Sequence, residues 1–104
     1  MKLPLIINPL AESDLAEARS WYEAQQEGLG EEFQRCVERT LDNIQRMPEL
    51  HAKVFQQLRR ALVRRFPYGV FYRVDENQIT VIAGLPRESR SARLATSRLI
   101  AIEQ

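Results

Sequence analysis

The sequence predicts an α+β fold: an N-terminal strand and a two-helix hairpin packed on a three- to four-stranded antiparallel sheet, with a short C-terminal helix. Three observations point there. Leu58 to Leu85 alternates apolar and polar residues in short runs separated by turn formers, the period of strands with one buried face. Two segments before it carry apolar residues at helical spacing and are joined by Gly28-Leu29-Gly30, the pattern of an αα-hairpin. The chain has 104 residues, 44% hydrophobic and 28% charged, which suits one soluble domain with a modest core.

Leu3 to Asn8 is a short apolar run and reads as the first strand. Asn8 is a helix-capping residue, and Pro9 suits the first helical position. From there Ala11, Leu15, Ala18 and Tyr22 make a stripe, with Leu10, Asp14 and Trp21 beside it and Glu12, Arg19, Glu23 and Glu27 opposite; this helix should end near Gly28. Phe33, Val37, Thr40, Leu41 and Ile44 make the stripe of a second helix, which Glu31 and Glu32 open and Pro48 ends. After a loop, Val54 and Phe55 return to extended structure. A strand Ala61 to Phe66 follows, then a turn at Pro67-Tyr68-Gly69. In the next strand Val70, Tyr72 and Val74 face one way and Phe71 and Arg73 the other. Asp75 to Gln78 is a hairpin turn, after which Ile79, Val81 and Ala83 alternate with Thr80 and Ile82. Leu94, Leu99, Ile100 and Ile102 form the irregular stripe of a final helix.

Composition excludes several functions. Cys36 is the only cysteine, so no internal disulfide forms, which fits a reducing cytoplasm. It lies close to the stripe of the second helix and reads as a core residue. No apolar run reaches the roughly 20 residues of a membrane span, and the start, broken by Pro4 and Pro9, is not expected to be a signal peptide. Cys36 and His51 are each single, so no metal-ligand spacing exists, and no Gly-rich phosphate loop is present. No cofactor is implied.

Charge is divided along the chain. Residues 1–50 hold five basic and ten acidic side chains; residues 51–104 hold ten basic and four acidic, and nine of those ten are arginine. One reading is that the halves neutralise each other within the fold. The other is an arginine surface for a polyanion or an acidic protein. Arg59, Arg60, Arg64, Arg65 and Arg73 stand among Phe66, Tyr68, Phe71 and Tyr72, and Arg87, Arg90, Arg93 and Arg98 follow. Such a mixture suits RNA, through phosphate contacts and stacking, or a protein interface.

Several pieces together resemble the RelE/ParE superfamily of toxins from type II toxin–antitoxin systems. They are Pro9-x-Ala11-x-x-Asp14-Leu15-x-x-Ala18, then Trp21-Tyr22-Glu23 and Gly28-Leu29-Gly30-x-x-Phe33. The central piece is Val63-Arg64-Arg65-Phe66-Pro67-Tyr68-x-x-x-Tyr72-x-Val74, followed by Ile79-x-Val81-x-Ala83. The resemblance implies that residues 1–104 are one toxin domain, neutralised by a cognate antitoxin that contacts Trp21, Tyr22, Phe33 and Val37. RelE-like members cut messenger RNA in the ribosome; ParE-like members poison DNA gyrase. A RelE-like enzyme would place an arginine where this chain has Gly69. No tyrosine follows Tyr72, Pro86 stands near a position where many relatives have histidine, and no tryptophan follows Trp21. Arginine stabilises a pentavalent phosphate but is a poor proton acceptor. The expected function is therefore ParE-like gyrase inhibition, with Arg64, Arg65, Tyr68, Arg73, Arg87 and Arg90 as target-binding residues. The alternatives are a ribosome-dependent endoribonuclease using Arg64, Arg65, Arg73, Arg87 or Arg90, and a non-toxic relative that only binds its antitoxin.

Overall fold

The computed structural model describes residues 2–103. Its elements are β1 (Leu5–Ile7), α1 (Pro9–Gln25), α2 (Leu29–Arg46), β2 (Lys53–Phe55), β3 (Leu58–Leu62), β4 (Tyr68–Val74), β5 (Ile79–Pro86) and α3 (Ser89–Glu103). The strands form one sheet in the order β1-β5-β4-β3-β2. The α+β class is as expected, with two additions. Lys53–Phe55 pairs along β3, which brings the strand count to five. β1 lies parallel to β5, so the sheet is mixed. The α1–α2 hairpin carries the chain from β1 to β2 at the opposite edge, and β3 and β4 lead back to β5 beside β1.

The hairpin follows from local chemistry. The Asn8 side chain accepts the Leu10 N–H at 2.9 Å, and Pro9 occupies the first helical turn. Gly28 adopts φ +87, a left-handed conformation that favours glycine, and turns the chain from α1 into α2. The Glu23 carboxylate accepts the N–H groups of Gly28 and Gly30, each at 2.9 Å. These two bonds hold its pKa below the usual glutamate value. At Gly30 the helices meet: a Cβ there would stand 2.6 Å from the Arg19 carbonyl oxygen. Phe33, Cys36, Val37, Thr40 and Ile44 of α2 are buried on the sheet with Ala11 of α1. Cys36 is thus a core residue.

Val63 to Phe66 is not strand, contrary to the alternation. β3 ends at Leu62, and the chain folds back, with the Val63 N–H on the Tyr68 carbonyl and Arg65 at φ 74. The fold-back lets Phe66 join Tyr22, Phe33 and Tyr68 in an aromatic cluster with centroids 4.8 to 5.2 Å apart. Packing overrides a local extended preference here.

The second face of the sheet is also buried, where alternation predicts a charged one. α3 lies across it, packing Ala95 and Leu99 on Leu58, Phe71, Ile82 and Ala83. A bulge contributes: Phe71 pairs with Ala83 but Tyr72 with Val81, so Ile82 is an extra residue in β5. Beyond it the parity shifts, and Ala83, expected beside Val81, faces α3. The buried stripe of α3 is Ser91, Ala95 and Leu99, while Leu94, Ile100 and Ile102 are exposed. Short residues let α3 approach the sheet closely.

Candidate functional site

The β3–β4 connection and the start of α3 meet at one end of the sheet. Tyr68 lies opposite Pro86 in register, and the Arg87 N–H donates to the Pro67 carbonyl at 2.8 Å. Arg64, Arg65, Arg87 and Arg90, all exposed, are therefore gathered at this end. Arg73 is not among them. It sits near the other end of β4, opposite Leu58 and Thr80, and pairs with Glu103 of α3. Among the described residues, its buried Nε has no partner. Tyr68 is 4% exposed and its hydroxyl donates to the Asp14 carbonyl at 3.3 Å, so it belongs to the core beneath α1. Burial first, and the nearby Asp14 carboxylate second, raise its pKa well above the ordinary tyrosine value. The Tyr72 hydroxyl donates to the Pro48 carbonyl at 2.6 Å, and burial pushes its pKa up to about 12.

Gly69 lies under Arg60. A Cβ at Gly69 would stand 3.2 Å from the Arg60 methylene carbons, so a larger residue there would have to displace that arginine. Arg59, one position earlier, points to the opposite face. It donates to the carbonyls of Glu49 and His51 at 3.0 and 2.6 Å and fixes the α2–β2 loop.

That loop completes a pocket. Between α2 and the β3–β4 turn is a cavity of about 270 Å³ lined by Arg39, Thr40, Asn43, His51, Arg64 and Arg65, with Cys36 and Leu62. Cys36, Arg39, Thr40 and Asn43 are spaced as one helical stripe, which aims them together at the turn. Arg65 is held in its left-handed conformation, at a cost of about 1 kcal/mol, with Nη1 3.3 Å from Glu32. Burial, and then Arg59, lower the His51 pKa, and among the described residues its buried Nε2 has no partner. Sequence reasoning missed Arg39 and His51. Arg39 and Asn43 flank the apolar stripe of α2, but nothing local says that His51 returns to them.

The four residues expected at an antitoxin contact divide. Trp21 is 59% exposed, Tyr22 is half-buried, and Phe33 and Val37 are core residues. The rims of Phe33 and Val37 nonetheless line a mainly apolar groove of about 270 Å³ between α1 and α2, with Leu15, Arg19 and Leu41. A second apolar hollow of about 380 Å³ lies beside Trp21, formed by Ala18, Tyr22, Pro67, Tyr68 and Pro86. Among the described residues, no group of three His, Cys, Asp or Glu side chains could hold a metal ion, and no helix is long and apolar enough to cross a membrane.

This architecture is shared by solved toxins. A chain of the chromosomal ParDE toxin–antitoxin system from P. aeruginosa superposes with a TM-score of 0.71 at 16% identity, covering 83% of this chain and 97% of that one. A mutant of the E. coli toxin RelE in the free state superposes with a TM-score of 0.72 at 14% identity, covering 96% and 99%. No curated protein sequence matches the chain. The fold is therefore that of the RelE/ParE toxins. Within that class, the chain belongs to the ParE toxin family of type II toxin–antitoxin systems, parDE, whose family profile matches residues 5–91. Membership implies an antitoxin as partner.

Proposed function

We propose that the chain is a cytoplasmic, ParE-like toxin that inhibits DNA gyrase by direct binding and is neutralised by its cognate antitoxin. The observation that carries this reading is the gathering of Arg64, Arg65, Arg87 and Arg90 at one end of the sheet where, among the described residues, no β4 tyrosine hydroxyl is free to transfer a proton. Both β4 tyrosine hydroxyls are tied inside the core. Arg64, Arg65, Arg87 and Arg90 then act as forks for carboxylate or phosphate, a binding role rather than a cleaving one. The apolar hollow beside Trp21 and the groove between α1 and α2 suit an antitoxin segment, since large exposed apolar surface marks interaction sites. The test is supercoiling by gyrase with the purified chain. Inhibition that is relieved by the antitoxin supports the reading. Unaffected supercoiling and no cleaved-DNA complex would sink it.

One observation favours messenger RNA cleavage as a second reading: His51 stands in the same pocket as Arg64 and Arg65. Codon-periodic cuts after induction would support that reading, and their absence with translation intact would remove it. Normal growth on expression without antitoxin would set both aside for a relative that only binds its partner.

A further inference from the structure

The pocket between α2 and the β3–β4 turn has features that antitoxin or gyrase contact does not require. Three arginines from two separate elements, Arg39 on α2 and Arg64 and Arg65 on the turn, border one cavity. No carboxylate among the described residues lines it. Among the described residues, Arg39 and Arg64 have no ion-pair partner, as is also true of Arg19, Arg60, Arg87 and Arg93 outside the pocket. Arg65 meets Glu32 only at the surface, where both side chains are well exposed and the pair is weak. Like charges gathered this way repel one another modestly in solvent, and an anion between them relieves that repulsion.

Chemistry narrows the anion. Guanidinium groups are planar forks matched to tetrahedral and planar oxyanions. Approach from α2 on one side and the turn on the other suits a group with oxygens in several directions. The Asn43 amide adds neutral donors, and His51 contributes the edge of the site. The floor is apolar or already satisfied: Cys36 is buried, and the Thr40 hydroxyl donates to the Cys36 carbonyl at 2.9 Å. Besides the arginines, a buried His51 nitrogen with no partner among the described residues marks unused polar capacity beside the cavity. A cavity of about 270 Å³ also exceeds what a lone oxyanion fills, leaving space for an attached group. We propose that this pocket is a binding site for a phosphate group, carried by a nucleotide or free in solution.

The proposal stands apart from the gyrase reading, because binding and supercoiling are measured separately. The full chain is titrated at constant ionic strength with adenosine 5′-monophosphate and with inorganic phosphate, followed by calorimetry and by backbone amide shifts. Saturable one-to-one binding is expected, with the shifts confined to residues 36–43, His51 and residues 62–65. Tighter binding of the monophosphate assigns a nucleotide-borne phosphate, and equal binding assigns free phosphate; either supports the site. Arg39→Gln and Arg64→Gln should each weaken binding at least tenfold. Arg35→Gln, on the same helix but paired with Glu31 outside the pocket, should leave it unchanged. All three side chains are exposed, and Asn43→Ala provides a further, uncharged probe of the same cavity. No saturation, equal displacement by chloride, the same affinity in Arg39→Gln and Arg64→Gln, or capture of a Glu-rich peptide in place of phosphate would overturn the proposal.

Discussion

Asp14 joins three elements, and its removal is the sharpest test of how α3 is held. Its carboxylate accepts the Gly84 N–H of β5 at 3.0 Å and the Arg98 guanidinium of α3 at 2.5 Å, and Arg98 also donates to the Ile82 carbonyl at 3.2 Å. β5 runs past the end of β1 here, so these side chains satisfy backbone groups that no neighbouring strand reaches. The two side chains are 15% and 24% exposed. Asp14→Ala leaves the Gly84 amide without an acceptor, which costs about 1 to 2 kcal/mol. It also leaves a sheltered Arg98 charge unpaired. Full burial would make that worth about 3 to 5 kcal/mol, but partial exposure reduces it to about 1 to 2. The expected loss is therefore about 3 kcal/mol, or roughly 12 to 20 °C in Tm for a chain of this length. Urea unfolding followed by circular dichroism measures it. Asp14→Asn, which keeps an acceptor for Gly84, should lose about half as much. A double-mutant cycle with Arg98→Ala should give a coupling of about 1 to 2 kcal/mol. Single losses below about 0.5 kcal/mol, or strict additivity, would refute the reasoning and leave α3 held by apolar contacts alone.

Two further outcomes follow from the packing. Gly30→Ala should destabilise the chain by about 2 to 3 kcal/mol in the same urea assay, because its Cβ would meet backbone, the Arg19 carbonyl, at 2.6 Å; a neutral result would show that α1 and α2 can separate freely. Stability should also fall at high pH. Tyr68 and Tyr72 have raised pKa values, the latter about 12, so the folded chain keeps protons that the unfolded chain loses near pH 10. Their contribution is complete below about pH 10 and declines as pH rises toward 12, by at most about 1.4 kcal/mol per pH unit for each tyrosine. Tyr72→Phe should flatten part of that slope, and an identical slope in the variant would count against it.

The helical hairpin was legible because its determinants are local. Asn8-Pro9, the glycines at 28 and 30, and the stripe from Phe33 to Ile44 each act within a few residues, and they produced the helices expected. The β4–β5 hairpin was legible for the same reason: the Asp75 carboxylate accepts the N–H groups of Asn77 and Gln78 at 2.8 and 2.9 Å, and the Asp75 N–H donates to the Gln78 carbonyl at 3.0 Å. The resemblance on Trp21-Tyr22-Glu23 and on Val63 to Val74 also led to the family that the profile match establishes.

The candidate site was less legible, because its parts come from distant positions. Arg64 and Arg65 were visible as charges, but not the pocket that joins them to Arg39 and His51, since the loop after α2 closes it only once Arg59 binds the carbonyls of Glu49 and His51. Arg73 and Tyr68 stood among the candidates by spacing. Tertiary contacts took them elsewhere, one to Glu103 and the other beneath Asp14. Period and turn chemistry are short-range, so the sequence by itself determined which segments are helix and strand and how they follow one another. Both faces of the sheet are covered, and the covering of the second depended on a single extra residue at Ile82 and on small residues in α3. Those act only when distant surfaces meet, and so the tertiary structure decided where the arginines stand.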